Sequence, residues 1–186
     1  MTNEQVCTRE YEFSLVLSGV DDLKDEIEDA LFESGCDDAT LIIQHGAAKL
    51  EFARTALSFQ DAVLSAIRDV CRAGKGIGVV QVDECNLVTK SEIARRIDRS
   101  RQLVGQYISG NRGPGQFPPP VCYLAAPLWR WCEVSYWLVK NDMIRKEVLM
   151  EAEVVSIINN LLERQQHATR NQQLVTTLSQ SLNDCG

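Results

Sequence analysis

The segment Leu87–Arg112, LVTKSEIARRIDRSRQLVGQYISGNR, has the pattern of two short helices joined by a tight turn. Thr89 and Glu92 have the spacing of a capping box, in which each side chain satisfies a backbone amide of the first helical turn. A helix is therefore predicted to begin directly after Thr89. Ile93 and Ile97 are one turn apart and are predicted to face inward.

The second helix of this segment is predicted from its own start and stop signals. Asp98 and Arg99 belong to the turn, and Ser100 is suited to cap a helix over 101–109. Gly110 follows, and glycine is the residue that most often ends a helix. This arrangement of two helices and a turn is typical of a helix-turn-helix.

One side of the second helix is predicted to face solvent with short, uncharged side chains. At about 100° per residue, Gln102, Gly105, Gln106 and Ser109 fall opposite the apolar positions. A glutamine amide can pair with two atoms of adenine in the major groove, a contact worth about 1–3 kcal/mol of discrimination. Plain surface polarity is the alternative reading of these glutamines.

A wing is predicted after Gly110. The turn cluster at 111–115 and the prolines at 118–120 cannot continue a helix, and 121–124 can pair with 128–131 as a hairpin. Trp131, Val134, Trp137 and Leu138 then have helical spacing and are predicted to be core.

Basic residues surround this motif, and most are better placed for phosphates than for bases. Residues 86–140 hold 8 Lys and Arg against 3 Asp and Glu, whereas residues 1–85 hold 7 against 17. The alternative interpretation of the basic cluster is a solvated helix face that binds no ligand. The predicted nucleic-acid contacts are Lys90, Arg95, Arg96, Arg99, Ser100, Arg101, Gln102, Gln106, Ser109, Asn111, Arg112 and Arg130.

The segment resembles the winged helix-turn-helix of excisionase-like and MerR-type DNA-binding domains. The matching pieces are SEIARRI at 91–97, RSR at 99–101, the turn segment at 110–117 and LWRW at 128–131. The resemblance covers about 50 residues and implies binding of double-stranded DNA. MerR-type proteins begin with this domain, but here 85 residues precede it, and no metal-sensing cysteine pattern follows.

The segment 1–85 is predicted to form a ferredoxin-like domain. Alternating residues predict strands at 11–20, 39–44, 48–54 and 77–82, with amphipathic helices over 21–34 and after Ser58. The short His45-Gly46 turn predicts a hairpin. The order β-α-β-β-α-β gives two helices on one face of an antiparallel sheet. We therefore expect an α+β protein with domains at 1–85, 86–140 and 141–186.

The segment 141–186 is predicted to be a helical dimerisation element. Its apolar residues have the three-and-four spacing of amphipathic helices, and so much apolar surface is expected to be covered. The predicted dimer contacts are Ile144, Val148, Val155, Ile158, Leu162, Leu174 and Leu178.

Several classes of protein are disfavoured by the sequence. No apolar run approaches the length of a membrane span, and the N-terminus lacks the order of a signal peptide, so a soluble cytoplasmic protein is expected. The seven cysteines contain no C-x-x-C pair, and no nucleophile-and-base cluster is visible. Neither a cofactor, a metal nor an enzymatic activity is predicted.

The expected function is sequence-specific binding of double-stranded DNA by a dimeric transcriptional regulator, most simply a repressor. Two alternatives remain open. In the first, the chain is an antitoxin or adaptor that binds a partner protein through its acidic N-terminal domain. In the second, it is an excisionase-like architectural factor that bends DNA.

Overall fold

The computed structural model describes residues 8–83, 86–123 and 126–183, with the backbone alone at 182 and 183. The chain is a mixed α+β protein that divides into two compact units. The first, called here the sheet unit, comprises residues 1–83 and 157–186. The second, called here the basic unit, comprises residues 84–156.

The sheet unit contains a four-stranded antiparallel sheet, as the sequence predicts. The strand order is β2-β3-β1-β4, so β2 and β4 form the two edges. Its elements up to residue 83 are β1 (Arg9–Ser18), α1 (Asp25–Glu33), β2 (Ala39–Gln44), β3 (Ala47–Ala56), α2 (Phe59–Ala73) and β4 (Gly78–Val82).

Local signals account for the element boundaries. The Ser58 hydroxyl accepts a hydrogen bond from the Asp61 amide at 3.1 Å and caps α2. His45 and Gly46 both have positive φ, of 53° and 77°, which is the backbone of a two-residue hairpin turn. Alternate residues of β1, Phe13, Leu15 and Leu17, are buried, so one face of the sheet supplies the core.

An arginine lies inside this unit and connects β3 with α2 and with the loop between α1 and β2. The Arg54 guanidinium, at the end of β3, donates to both Asp38 oxygens at 2.8 Å and to Asp69 of α2 at 2.7 Å. It also donates to the Gly35 carbonyl at 2.7 Å and stacks on the Phe52 ring. The hydrogen bonds to Asp38 raise the pKa of Arg54. The buried charge is therefore paired and fully hydrogen-bonded.

The basic unit is built around a small core of tryptophan and aliphatic side chains. Val88, Ile93, Val104, Trp129 and Leu138 are among its buried residues. Its elements are β5 (Leu87–Val88), α3 (Lys90–Arg96), α4 (Arg101–Ile108), β6 (Trp129–Arg130), α5 (Trp131–Lys140) and the first part of α6 (Lys146–Arg170). The predicted core positions Trp131, Val134, Trp137 and Leu138 are confirmed.

The predicted hairpin of this unit is shorter than expected. Among its described residues, only Cys122 and Leu128 form a bridge, while β6 pairs with β5 through Trp129 and Val88. Trp131 was predicted in the hairpin but is the first residue of α5, because the backbone turns into the helix directly after Arg130, its N-cap. The predicted hairpin positions 124 and 125 lie outside the described residues.

The segment 141–186 was predicted as a domain of its own, but its described residues are divided between the two units. Residues up to Ser156 belong to the basic unit, and residues from Ile157, including α7 (Gln172–Asn183), belong to the sheet unit. Ile144 and Val148, predicted dimer contacts, pack against the core of the basic unit instead. Val155 and Ile158 are buried, and Leu162 lines a groove in the sheet unit. Among these predicted contacts, Leu174 and Leu178 remain exposed.

Within the described part of the chain, no helix combines the length and the apolar character that a bilayer span requires.

Replacing Arg54 with methionine is expected to lower the free energy of unfolding by about 3–5 kcal/mol, because Asp38 then loses its partner and Asp69 retains only the exposed Arg72. Urea unfolding of the full chain measures the change. Arg68→Met is the control, since among the described residues this exposed side chain bonds only to the Leu64 carbonyl of its own helix. Equal stability of the two variants would contradict the structural role of Arg54.

Candidate nucleic-acid interface

The helix α4 is held at its start by a cap and follows a sharp turn. The Ser100 hydroxyl accepts a hydrogen bond from the Leu103 amide at 3.2 Å, as predicted. Asp98 has a φ of 50°, which allows the chain to reverse between α3 and α4. Ser100 was also a candidate contact, and its hydroxyl is already engaged by the helix.

The outward side of α4 is polar and uncharged. Gln102 and Ser109 are exposed, and Gln106 is half-buried, whereas Val104 on the opposite side is fully buried. The Ser109 hydroxyl donates to the Gln106 carbonyl at 3.3 Å. Two amide side chains one turn apart can thus donate and accept hydrogen bonds along one line of the helix.

Gly105 lies between these glutamines and lets a lysine approach the helix. A methyl group at this position would lie 3.9 Å from both Cδ and Nζ of Lys90. The Lys90 chain, from the start of α3, therefore crosses α4 at Gly105. The Lys90 ammonium group therefore lies on the same side of α4 as the two glutamines.

A loop after α4 is fixed to the core by two tryptophans. The indole N–H of Trp137 donates to the Gly115 carbonyl at 2.8 Å, and that of Trp129 donates to the Pro118 carbonyl at 3.0 Å. The Phe117 ring contacts both indoles, with centroid distances of 5.0 Å to Trp137 and 6.4 Å to Trp129. This arrangement is called here the indole clamp. The sequence predicted Trp137 as core, but it predicted neither the burial of Trp129 nor the hydrogen bonds of the two indoles to the loop.

The indole clamp holds a loop that begins at the end of α4. The Arg112 amide donates to the Gln106 carbonyl at 3.2 Å, so the start of the loop is bonded to the helix. Asn111 and Arg112 are both exposed there. The structure thus brings Arg112 beside the polar side of α4.

Two of the predicted cationic contacts are engaged within α3. The Glu92 carboxylate accepts from Arg95 at 2.6 Å and from Arg96 at 3.1 Å, rather than from the Thr89 amide of a capping box. Thr89 still caps α3 by accepting from the Glu92 amide at 3.2 Å. The Arg96 guanidinium also lies over the Trp131 ring at 4.9 Å, and its side chain is only 15% exposed. Arg96 is therefore a structural residue.

The other predicted cations remain available. Their side chains are exposed, and none forms an ion pair with a residue that the structure describes; they are Lys90, Arg99, Arg101, Arg112 and Arg130. The Arg99 side chain donates to the Asp98 carbonyl beside it. Arg130 lies on β6, outside the segment that contains α4. The other four belong to α3, the turn, α4 and the loop that follows.

No other chemistry is visible in the described part of the chain. No cluster of His, Cys, Asp and Glu there could hold a metal ion. The cysteines described are free, and burial raises the pKa of the Cys36 thiol, which disfavours a reactive thiolate.

Comparison with protein-family models, with curated proteins and with solved structures gives no significant match. The function of this surface has to be inferred from its own residues.

The ion pairs of Glu92 with Arg95 and Arg96 make the stability of the protein pH-dependent. Hydrogen bonds from Arg95, and then from Arg96, lower the pKa of Glu92 from 4.5 to about 2. A carboxyl group with a lowered pKa stabilises the folded state above its unfolded pKa, and this contribution is lost as the pH falls from 4.5 towards 2. Glu92→Gln is expected to make unfolding less steeply pH-dependent in this window.

Urea midpoints measured across this window test the prediction. The control is Glu133→Gln, which removes an exposed carboxylate from α5 and should retain the steepness of the parent protein. Identical pH profiles for the parent and Glu92→Gln would refute the assignment.

Proposed function

We propose that the chain is a sequence-specific double-stranded DNA-binding protein that inserts α4 into the major groove. The observation that carries the proposal is the uncharged, hydrogen-bonding side of α4, framed by cations without ion-pair partners among the described residues. An α-helix fits the major groove, and only there does each base pair present a distinct pattern of donors and acceptors.

The roles within the site follow from side-chain chemistry. Gln102 and Gln106 read base edges, because an amide can donate to and accept from one adenine. Lys90 reaches the same side of the helix across Gly105 and supplies either a contact to guanine or a phosphate contact. Because Gly105 has no side chain, the Lys90 side chain can pack against α4 at this position.

Affinity is supplied by arginines at the two ends of α4. Arg99 and Arg101 precede the helix, and Arg112 follows it on the loop that the indole clamp holds. A guanidinium group can bind phosphate through two parallel hydrogen bonds. A rigid loop loses less conformational entropy on binding than a free one, which favours Arg112 as a phosphate contact.

The fold-level part of the proposal concerns both units. The capped helices, the turn, the loop and the short β5-β6 sheet support a winged helix-turn-helix for the basic unit. The βαββαβ order of the sheet unit, with two central strands from β1 and β3, supports a ferredoxin-like domain. We assign the protein to transcriptional regulation in the cytoplasm, most simply as a repressor that occupies an operator.

A homodimer is part of the proposal. Ile157 and Leu161 of α6 and Leu174 and Leu178 of α7 are 52–60% exposed, and all four belong to the sheet unit. Exposed apolar side chains at helical spacing favour association with a second copy. A dimer of helix-turn-helix units would read two half-sites separated by about 34 Å or a multiple of it.

Selection from a randomised duplex library, followed by fluorescence anisotropy with the selected duplex, tests DNA binding. Gln102→Ala and Gln106→Ala are each expected to reduce discrimination between selected and random duplexes by about 5- to 150-fold, which corresponds to about 1–3 kcal/mol. Arg112→Ala is expected to weaken binding to both duplexes equally and to reduce the salt slope by about one.

The controls are an exposed glutamine and an exposed arginine of α2. Gln60→Ala and Arg68→Ala should leave both the affinity and the salt slope unchanged. The proposal fails if no duplex is enriched, if affinity does not depend on salt, or if the α4 variants discriminate as well as the parent.

Sedimentation equilibrium at micromolar concentration tests the dimer. The parent is expected to sediment as a dimer, and the double variant Leu174→Gln with Leu178→Gln is expected to dissociate into monomers because the apolar contact is lost. Leu64→Gln, on α2, is the control and should remain dimeric. A monomeric parent protein would exclude this part of the proposal.

A further inference from the structure

The two edges of the sheet differ in whether their outward backbone groups are hydrogen-bonded. At the β4 edge, the Asn159 side chain of α6 accepts from the Val82 amide at 2.8 Å and donates to the Val82 carbonyl at 3.0 Å. Gln166, two helical turns further on, donates to the Val80 carbonyl at 2.9 Å. These bonds occupy backbone groups with which a further strand would have to pair.

The β2 edge has no such cover. All six residues of β2 pair with β3 on one side. On the other side, no described residue hydrogen-bonds to the backbone of residues 40–44. The sequence of β2, ATLIIQ, contains neither a charged residue nor a proline, and both are common means of blocking an edge. The free edge can therefore accept an added strand.

A groove of about 350 Å³ lies beside this edge, between α1 and β2. Its apolar lining includes Leu31, Phe32 and Leu41, and the Phe32 side chain is 66% exposed. Ile43, two residues after Leu41 and thus on the same face of the strand, is 39% exposed. An added strand would direct alternate side chains onto this apolar surface.

The charge at the groove distinguishes between possible occupants. Helix α1 carries five carboxylates, at Asp25, Glu26, Glu28, Asp29 and Glu33, and no basic residue. Glu28 and Asp29 line the groove itself. Pairing of β2 with the β2 of a second copy would bring two such helices together, and their like charges disfavour that arrangement. A segment with lysine or arginine near its ends complements the groove.

We propose that the free edge of β2 binds an extended basic segment of a partner protein as a fifth strand. Backbone hydrogen bonds to β2 would provide affinity, as in other cases of strand addition. Alternate apolar side chains of the segment would pack against Phe32, Leu41 and Ile43. Its basic residues would pair with Glu28 and Asp29. This activity is independent of the DNA-binding surface proposed above.

Panning a displayed library of random peptides, each about ten residues long, against the full chain tests the proposal. The enriched peptides are expected to be basic, with apolar residues at alternate positions. Affinities of the enriched peptides are then measured by fluorescence anisotropy. Phe32→Ser and Ile43→Lys are each expected to weaken binding at least about tenfold, because they remove apolar contact from the groove or place a charge in it.

Two further variants make the test specific. The double variant Glu28→Lys with Asp29→Lys should reverse the preference from basic to acidic peptides. Leu57→Ser removes a similarly exposed apolar side chain elsewhere in the unit and should bind like the parent. Urea unfolding of each variant checks that the fold is intact.

Failure to enrich any peptide, or enrichment of peptides without basic residues, would overturn the proposal. If Phe32→Ser and Ile43→Lys are folded and bind the enriched peptides as tightly as the parent does, the proposal is also overturned. If Ile43→Lys instead converts a dimeric parent to a monomer, the β2 edge joins two copies of this chain and the partner segment is excluded.

Discussion

Two indole N–H groups of the basic unit fix the loop on which its candidate interface depends. Trp129 and Trp137 each donate to a carbonyl of the loop after α4, and Phe117 packs against both rings. The loop is rich in glycine and proline and has no strand partner over 110–120. Without the indole clamp, the loop would be bonded to α4 only at its start, through the Arg112 amide, and the part that follows Arg112 would lack a fixed position.

The indole clamp also explains why the basic unit combines glycines in this loop with tryptophans that face it. Gly113 and Gly115 have positive φ values of 84° and 76°, which side-chain-bearing residues rarely adopt. Gly113 additionally lies against the Tyr107 ring, where a Cβ would be 3.0 Å away. The glycines let the backbone reach the indole groups, and the indole groups then hold it there.

Features encoded by neighbouring residues were predictable from the sequence. The caps at Ser58, Thr89 and Ser100, the bounds of β2 and the β2-β3 turn depend on contacts within about four residues, and the structure has all of them. The polar side of α4 was also predictable, because it follows from helical periodicity alone.

Features that depend on distant contacts were not predictable in the same way. Strand alternation places Arg54 on the buried face, but the sequence does not reveal that Asp38 and Asp69 converge on it. Glu92 has two possible partners at helical spacing, and it binds Arg95 and Arg96 because two charged donors compete better than one amide. The apolar stripe of α6 is so broad that periodicity could not separate its buried side from its exposed one.

The amide side chains of Asn159 and Gln166 limit how the sheet can associate. A sheet with two free edges can polymerise, because each added copy leaves another edge open for the next. Here the β4 edge is closed by the protein's own helix, so edge-to-edge pairing of whole copies cannot continue beyond a pair joined at β2. A protein with an uncharged, β-prone edge is thereby protected from open-ended aggregation while that edge stays accessible.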